Sequence, residues 1–151
     1  MSLPPETGEG TIFLNHRDHR DHREVQENDQ RDPLTWKIIG AAIEVHRQLG
    51  PGLLESLYED AFCYELGESG LVYKRQMPIP VEYKQRNIGN LIADVVVEDK
   101  VIVELKAVEK LAPIHTTQML TYLKVTSLNL GLLLNFNVKT LRDGGIKRII
   151  L

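Results

Sequence analysis

Apolar residues recur at helical spacing in the first half of the chain and at strand spacing after it. Ile38, Ile39, Ala42, Ile43, His46 and Leu49 return every three or four positions, the period of one helix face. Asp32-Pro33 precedes them, an N-cap followed by a proline at the first helical position. Gly50-Pro51-Gly52 ends the helix. A second helix is predicted over about 53–66, with Leu54, Leu57, Tyr58, Ala61 and Phe62 on one face and Gly67 and Gly70 beyond its end. The period then changes. Residues 80–84 predict a short strand. Residues 88–97 and 101–107 are rich in Val and Ile, which suit a pleated, buried surface, and Glu98-Asp99-Lys100 is the turn between them.

Pro113 opens a third helix, with Met119, Leu120 and Leu123 on its apolar side and His115, near its start, a candidate for the same side. Residues 128–136 are almost continuously apolar, as in a central strand covered on both faces. Gly144-Gly145 and residues 146–151 predict a last turn and strand. The order helix, helix, three strands, helix, strand, strand predicts an α/β fold, a mixed β-sheet flanked by helices.

Composition narrows the classes. The chain of 151 residues has one cysteine, Cys63, so an internal disulfide and a multi-cysteine zinc site are excluded. Cys63 is expected to fill core space, and a cytoplasmic location fits. No apolar run approaches the roughly 18–20 residues of a membrane helix, so no membrane partner is expected. The net charge of −3 is unevenly placed. Residues 1–32 carry four arginines against eight acids, or −4, and the remainder is +1. With Ile12, Phe13 and Leu14 as its main apolar cluster, 1–32 is expected to be a disordered or loosely ordered charged tail, and 33–151 the domain. Its His-Arg-Asp repeat, from His16 to His22, is read as a solvated, charge-balanced segment rather than a metal site. The near-neutral domain does not exclude a phosphate-bearing partner.

Candidate chemistry lies inside the strands. Asp94 interrupts Ile92-Ala93 and Val95-Val96-Val97, and Glu104 and Lys106 interrupt residues 101–107. Charges in such runs are costly to bury unless paired or metal-bound. Alternation puts Glu104 and Lys106 on one face. In a hairpin with the three-residue loop 98–100, Asp94 stands opposite Glu104; a two-residue loop would set it opposite Val103. Adjacent carboxylates repel, and a divalent cation with hard oxygen ligands relieves them. Lys106 could then orient water and stabilise charge at phosphorus. A buried ion pair of Lys106 with either acid is the bland alternative.

Asp94 with Glu104-Leu105-Lys106, placed on the second and third strands, resembles the PD-(D/E)XK nuclease superfamily and its restriction-endonuclease-like core. Gln118-Met119-Leu120-Thr121-Tyr122 is similar to the QxxxY pattern of its RecB-like branch. Residues 46–58, containing Gly52-Leu53-Leu54-Glu55-Ser56-Leu57-Tyr58, resemble the signature of the small bacterial GxxExxY proteins of that superfamily. Ala93 departs from the superfamily's name-giving Pro, which is no ligand. The resemblance implies a metal-dependent phosphodiesterase acting on nucleic acid, DNA in the first instance, with Mg²⁺ or Mn²⁺ held by Asp94, Glu104, the Leu105 carbonyl and Glu55. Lys106 would position water, and Gln118 and Tyr122 would support the site. His46 is expected to be a satisfied core histidine, and Trp36 to pack rather than stack on bases. The competing class is a silent module that binds nucleic acid or protein, with a homodimer among its forms; Lys74, Arg75, Lys84, Arg86, Lys147 and Arg148 form no dense basic stripe.

Overall fold

A computed structural model describes residues 32–151; the His-Arg-Asp repeat and the Ile12 to Leu14 cluster lie outside the described residues. Helix α1 spans Pro33–Leu49. Its N-cap is Asp32, whose carboxylate accepts from the Leu34 N–H at 3.2 Å and the Thr35 hydroxyl at 2.5 Å. Gly50 (φ 67°) and Gly52 (φ 102°) then turn the chain through backbone angles that a side chain would strain. Helix α2 is Glu55–Glu68. Its buried stripe is Tyr58, Glu59, Phe62, Cys63 and Leu66, whereas Leu54 and Leu57 are exposed. The expected apolar face was thus rotated from the true one. It hid an acid, Glu59, which is tolerated inside because Arg75 and Gln76 both donate to it.

Five strands follow: β1 Tyr73–Tyr83, β2 Arg86–Val97, β3 Val101–Lys106, β4 Leu130–Asn135 and β5 Ile146–Ile150. Helix α3, Pro113–Thr126, connects β3 to β4. The sheet order is β1-β2-β3-β4-β5. Only β3 and β4 are parallel, as the helical crossover between them requires. β1 is far longer than the five residues expected. Pro78 masked its first part in the sequence, yet Pro78 and Pro80 both fit because β1 is an edge strand.

The mixed sheet is covered on both faces. Ile38, Ile39 and Ile43 of α1 and Phe62 and Leu66 of α2 pack on Val95, Val97, Val103, Leu105, Leu132 and Leu134. Met119 and Leu123 of α3 pack on Ala93, Val96, Ile102, Leu133 and Ile149. Val103 and Ile102 show the simple alternation of a strand between two layers. β2 breaks it: Ala93 lies on the α3 side but Val95 on the α1/α2 side. β1 changes phase in the same region, Tyr73 packing with the first cluster and Met77 with the second. The change falls at Asp94 and Gln76, the one facing position between Arg75↔Val95 and Met77↔Ala93 that is not paired.

Candidate active site

The site sits where the sheet forks. The β2–β3 ladder runs Val97↔Val101, Val96↔Ile102 and Val95↔Val103, then stops. This is the register of the three-residue loop, so Asp94 and Glu104 come next to each other. Glu98 (φ 55°) and Asp99 (φ 53°) make the turn, closed by the Lys100 N–H on the Val97 carbonyl at 2.9 Å. Beyond it β2 leaves β3 and continues to Arg86 paired only with β1.

Backbone donors stranded by this separation need partners, and carboxylates take them. The Leu105 N–H donates to Asp94 Oδ2 at 2.9 Å, and the Asp94 N–H to Glu104 Oε2 at 2.8 Å. Just beyond the end of β3, the Ala107 N–H donates to Glu55 Oε2 at 3.2 Å. The Leu105 and Ala107 N–H groups leave the chain on the same side, so Asp94 of β2 and Glu55 of α2 are aligned along one row of amides, while Glu104 of β3 reaches across to the β2 amide. The Leu105 carbonyl shares the side of its N–H. The fork therefore orients the acids without using cationic partners.

Glu104 is only 7 % exposed. Burial first, and the neighbouring Asp94 charge second, push its carboxyl from an ordinary 4.5 up to about 8; the Asp94 N–H and Lys106 act in the opposite sense. Burial likewise raises Asp94, against the Leu105 N–H and Lys106, while Glu55 adds to the rise. Near neutral pH the pair therefore retains a proton. Lys106 is half-buried and forms no ion pair within 4 Å among the described residues. The buried salt bridge considered from sequence is absent from the described residues, and the ammonium is available to another ligand.

Tyr122 reaches the site from α3. Its hydroxyl donates to the Ile92 carbonyl at 3.2 Å, and burial, then the charges of Glu104 and Asp94, raise its pKa. Gln118, one turn earlier, is exposed and makes no hydrogen bond among the described residues. The helix thus carries Tyr122 to the acids and leaves Gln118 at the outer rim. His115 is part of the helix start rather than the apolar face: its Nδ1 accepts from the Ala112 N–H at 3.0 Å, a local partner that pattern reasoning did not resolve.

The Gly52–Tyr58 pattern has a visible physical basis. Tyr58 is fully buried and stacks on Phe136 at 4.6 Å. Its hydroxyl donates to the Gly50 carbonyl at 2.5 Å and accepts from the Leu53 N–H at 3.1 Å. The tyrosine ties the glycine turn to the helix, which places Glu55 at the first position of α2, facing the end of β3. His46 is buried with Nε2 2.8 Å from the Val138 carbonyl, the satisfied core histidine expected. Cys63 is buried, its thiol pushed up to about 12 by burial.

Two supports escaped sequence reasoning. Asn135 is 1 % exposed and holds the chain leaving β3, accepting from the Val108 N–H at 3.0 Å and donating to its carbonyl at 2.9 Å. Gln76 donates to Glu59 at 3.0 Å and lies 3.5 Å from Asp94 Oδ1. An amide inside an apolar run was the available signal for Asn135; Gln76 gave none.

The half-buried Asp94 and the buried Glu104, sharing a proton, are a hard-oxygen donor pair suited to a divalent cation, with Lys106 on the same strand as Glu104. No three His, Cys, Asp or Glu side chains gather closely enough to hold a metal among the described residues. Glu55 stands outside the Asp94–Glu104 pair, tied to Ala107. No described helix is long and apolar enough to cross a membrane. A family model describing the PD-(D/E)XK nuclease superfamily matches residues 32–149. No curated protein and no solved structure matches the chain.

Proposed function

The chain belongs to the PD-(D/E)XK nuclease superfamily, and from that membership we propose that it hydrolyses phosphodiester bonds in nucleic acid, DNA in the first instance, with Mg²⁺ or Mn²⁺. Within the superfamily we assign it to the GxxExxY group with the RecB-like QxxxY helix, and to the cytoplasm. The superfamily generally uses divalent metals and its substrates are nucleic acids. The observation that carries the proposal is the fork: a half-buried Asp94 and a buried Glu104 side by side, oriented by backbone N–H groups, with Lys106 on β3 in no ion pair among the described residues.

Asp94, Glu104 and the Leu105 carbonyl would hold the cation, with Glu55 acting directly or through water. A bound divalent cation would neutralise the paired carboxylates, polarise a phosphoryl oxygen and make water acidic enough to attack at neutral pH. Lys106 orients the attacking water and stabilises negative charge that builds on the phosphoryl oxygens. The water oxygen bonds to phosphorus, the bond to the 3′ oxygen breaks, and that oxygen takes a proton. The products are a 5′-phosphate and a 3′-hydroxyl. Tyr122 keeps the β2 backbone beside Asp94 fixed, and Gln118 at the rim meets the substrate strand.

Cleavage of labelled single- and double-stranded DNA and RNA tests this. Cutting with Mg²⁺ or Mn²⁺, its loss in EDTA, and a drop of roughly 10²–10⁴-fold in Lys106→Met are expected. No cutting of any substrate, or equal cutting by Lys106→Met, would reject it. One observation favours the protein-binding form of the silent-module alternative. Lys74 is engaged by Asp99 at 3.0 Å and Arg75 by Asp60 at 2.6 Å, so neither stands free for phosphate. A partner bound without any divalent cation at Asp94 and Glu104 would decide for that alternative.

A further inference from the structure

Gln76 lies outside the acid–lysine pattern, yet its conformation is costly. Its φ is 49°, in the left-handed region, which a residue with a Cβ rarely adopts. Strain of this kind persists where the surroundings enforce it, often at functional sites. Here the surroundings are a chain of ionic and hydrogen-bonded side chains running from α2 to β2. Asp60 accepts from Arg75 at 2.6 Å, and Arg75 donates in turn to Glu59 at 3.0 Å. Glu59, 8 % exposed, takes the Gln76 amide at 3.0 Å, and the same Nε2 lies 3.5 Å from Asp94 Oδ1.

We propose that Gln76 is the positioning residue of Asp94, its amide bridging Glu59 to Asp94 Oδ1 while the Leu105 N–H holds Oδ2. This inference rests on the proposed metal site. An amide nitrogen carries two hydrogens. Glu59 takes one, which directs the other to Asp94. It also fixes which end of the amide faces the acids, because the flipped amide would set oxygen against two carboxylates. A neutral donor suits the task. A lysine or arginine there would neutralise Asp94 and compete with a cation for it, whereas an amide orients the carboxylate and leaves its charge in place. The phase change of β1 and β2 at this same position brings the amide and the carboxylate together at the fork.

Two variants separate positioning from general support. Gln76→Gly removes the amide and relieves the left-handed strain. Gln76→Met keeps length and strain but has no donor. Three quantities are measured on each: the denaturant midpoint of metal-free protein, hydrogen exchange of the Leu105 amide, and Mn²⁺ affinity by calorimetry. Both variants leave Glu59 short of one donor, and Gln76→Gly, which also relieves the strain, is expected to be the more stable of the two. In both variants Leu105 exchange accelerates at least tenfold, because its acceptor Asp94 is no longer held, and Mn²⁺ affinity falls at least tenfold. Unchanged Leu105 exchange in both variants, or a loss of affinity only in step with lost stability, would overturn the proposal. A parent protein that binds no Mn²⁺ while Leu105 exchange still responds would reject the metal site and leave the positioning of Asp94 standing.

Discussion

Glu104→Gln should stabilise the metal-free protein at alkaline pH while removing its function. The folded protein holds a proton on Glu104 up to about pH 8, whereas the unfolded chain releases it near 4.5. Between those values the folded state binds the extra proton, so raising the pH favours unfolding. Stability from this group is complete below 4.5, declines by about 1.4 kcal/mol per pH unit, and levels off above about 8. The full window corresponds to at most about 5 kcal/mol, and water entering the fork as the acid ionises reduces this to on the order of 2–4 kcal/mol. That remains a large share of the roughly 5–15 kcal/mol typical of a domain. The glutamine is isosteric, still accepts from the Asp94 N–H, and has no proton to lose. Urea unfolding in EDTA at pH 5, 6.5 and 8.5 is the assay. The variant should match the parent within about 1 kcal/mol at pH 5 and exceed it by on the order of 2–4 kcal/mol at pH 8.5. Parallel pH slopes, or a variant less stable at pH 8.5, would refute the assignment of the raised carboxyl to Glu104.

Other tests address the surroundings of the site. Mn²⁺ binding at pH 7 should release close to one proton, seen as a dependence of calorimetric heat on buffer ionisation, because the cation displaces the proton shared by Asp94 and Glu104; no proton release would contradict that sharing. Tyr58→Phe leaves the Gly50 carbonyl and Leu53 N–H without their partner; a cost of about 1–2 kcal/mol in chemical unfolding is expected, with weaker Mn²⁺ binding because Glu55 follows that turn. A Cβ at Gly131 would lie 2.4 Å from the Met119 sulfur. Gly131→Ala should therefore cost about 1–3 kcal/mol, and Met119→Ala in the same chain should recover part of it.

The helical stretches and the order of elements were legible because burial imposes simple periods on α1, β3 and β4. Asp94, Glu104 and Lys106 stood out for a related reason: charge inside an apolar strand demands an explanation. Their adjacency was conditional on loop length, and the left-handed angles of Glu98 and Asp99 that fix it leave little trace in residue type. α2 was oriented wrongly because Glu59 is buried through partners 16 and 17 positions away, Arg75 and Gln76. Leu54 and Leu57 are apolar yet exposed, so hydrophobicity alone pointed to the wrong face. The first part of β1, residues 73–79, was missed and its outer end, from Pro80, was found; Pro78 inside the missed part is tolerated only because of strand order. Gln76 was illegible for the same kind of reason. Its role exists only where β1, β2 and α2 meet, and a glutamine on an exposed strand segment carries no pattern of its own.

Anomalous diffraction from crystals of the full chain soaked in Mn²⁺ addresses the metal-dependent site itself. An anomalous peak bonded to carboxylate oxygens of both Asp94 and Glu104, at the roughly 2.0–2.3 Å of hard-ligand coordination and lost in Asp94→Asn, is the expected result. A fully soaked crystal with no peak between these two acids, their hydrogen bonds to Leu105 and Asp94 unchanged, would contradict it.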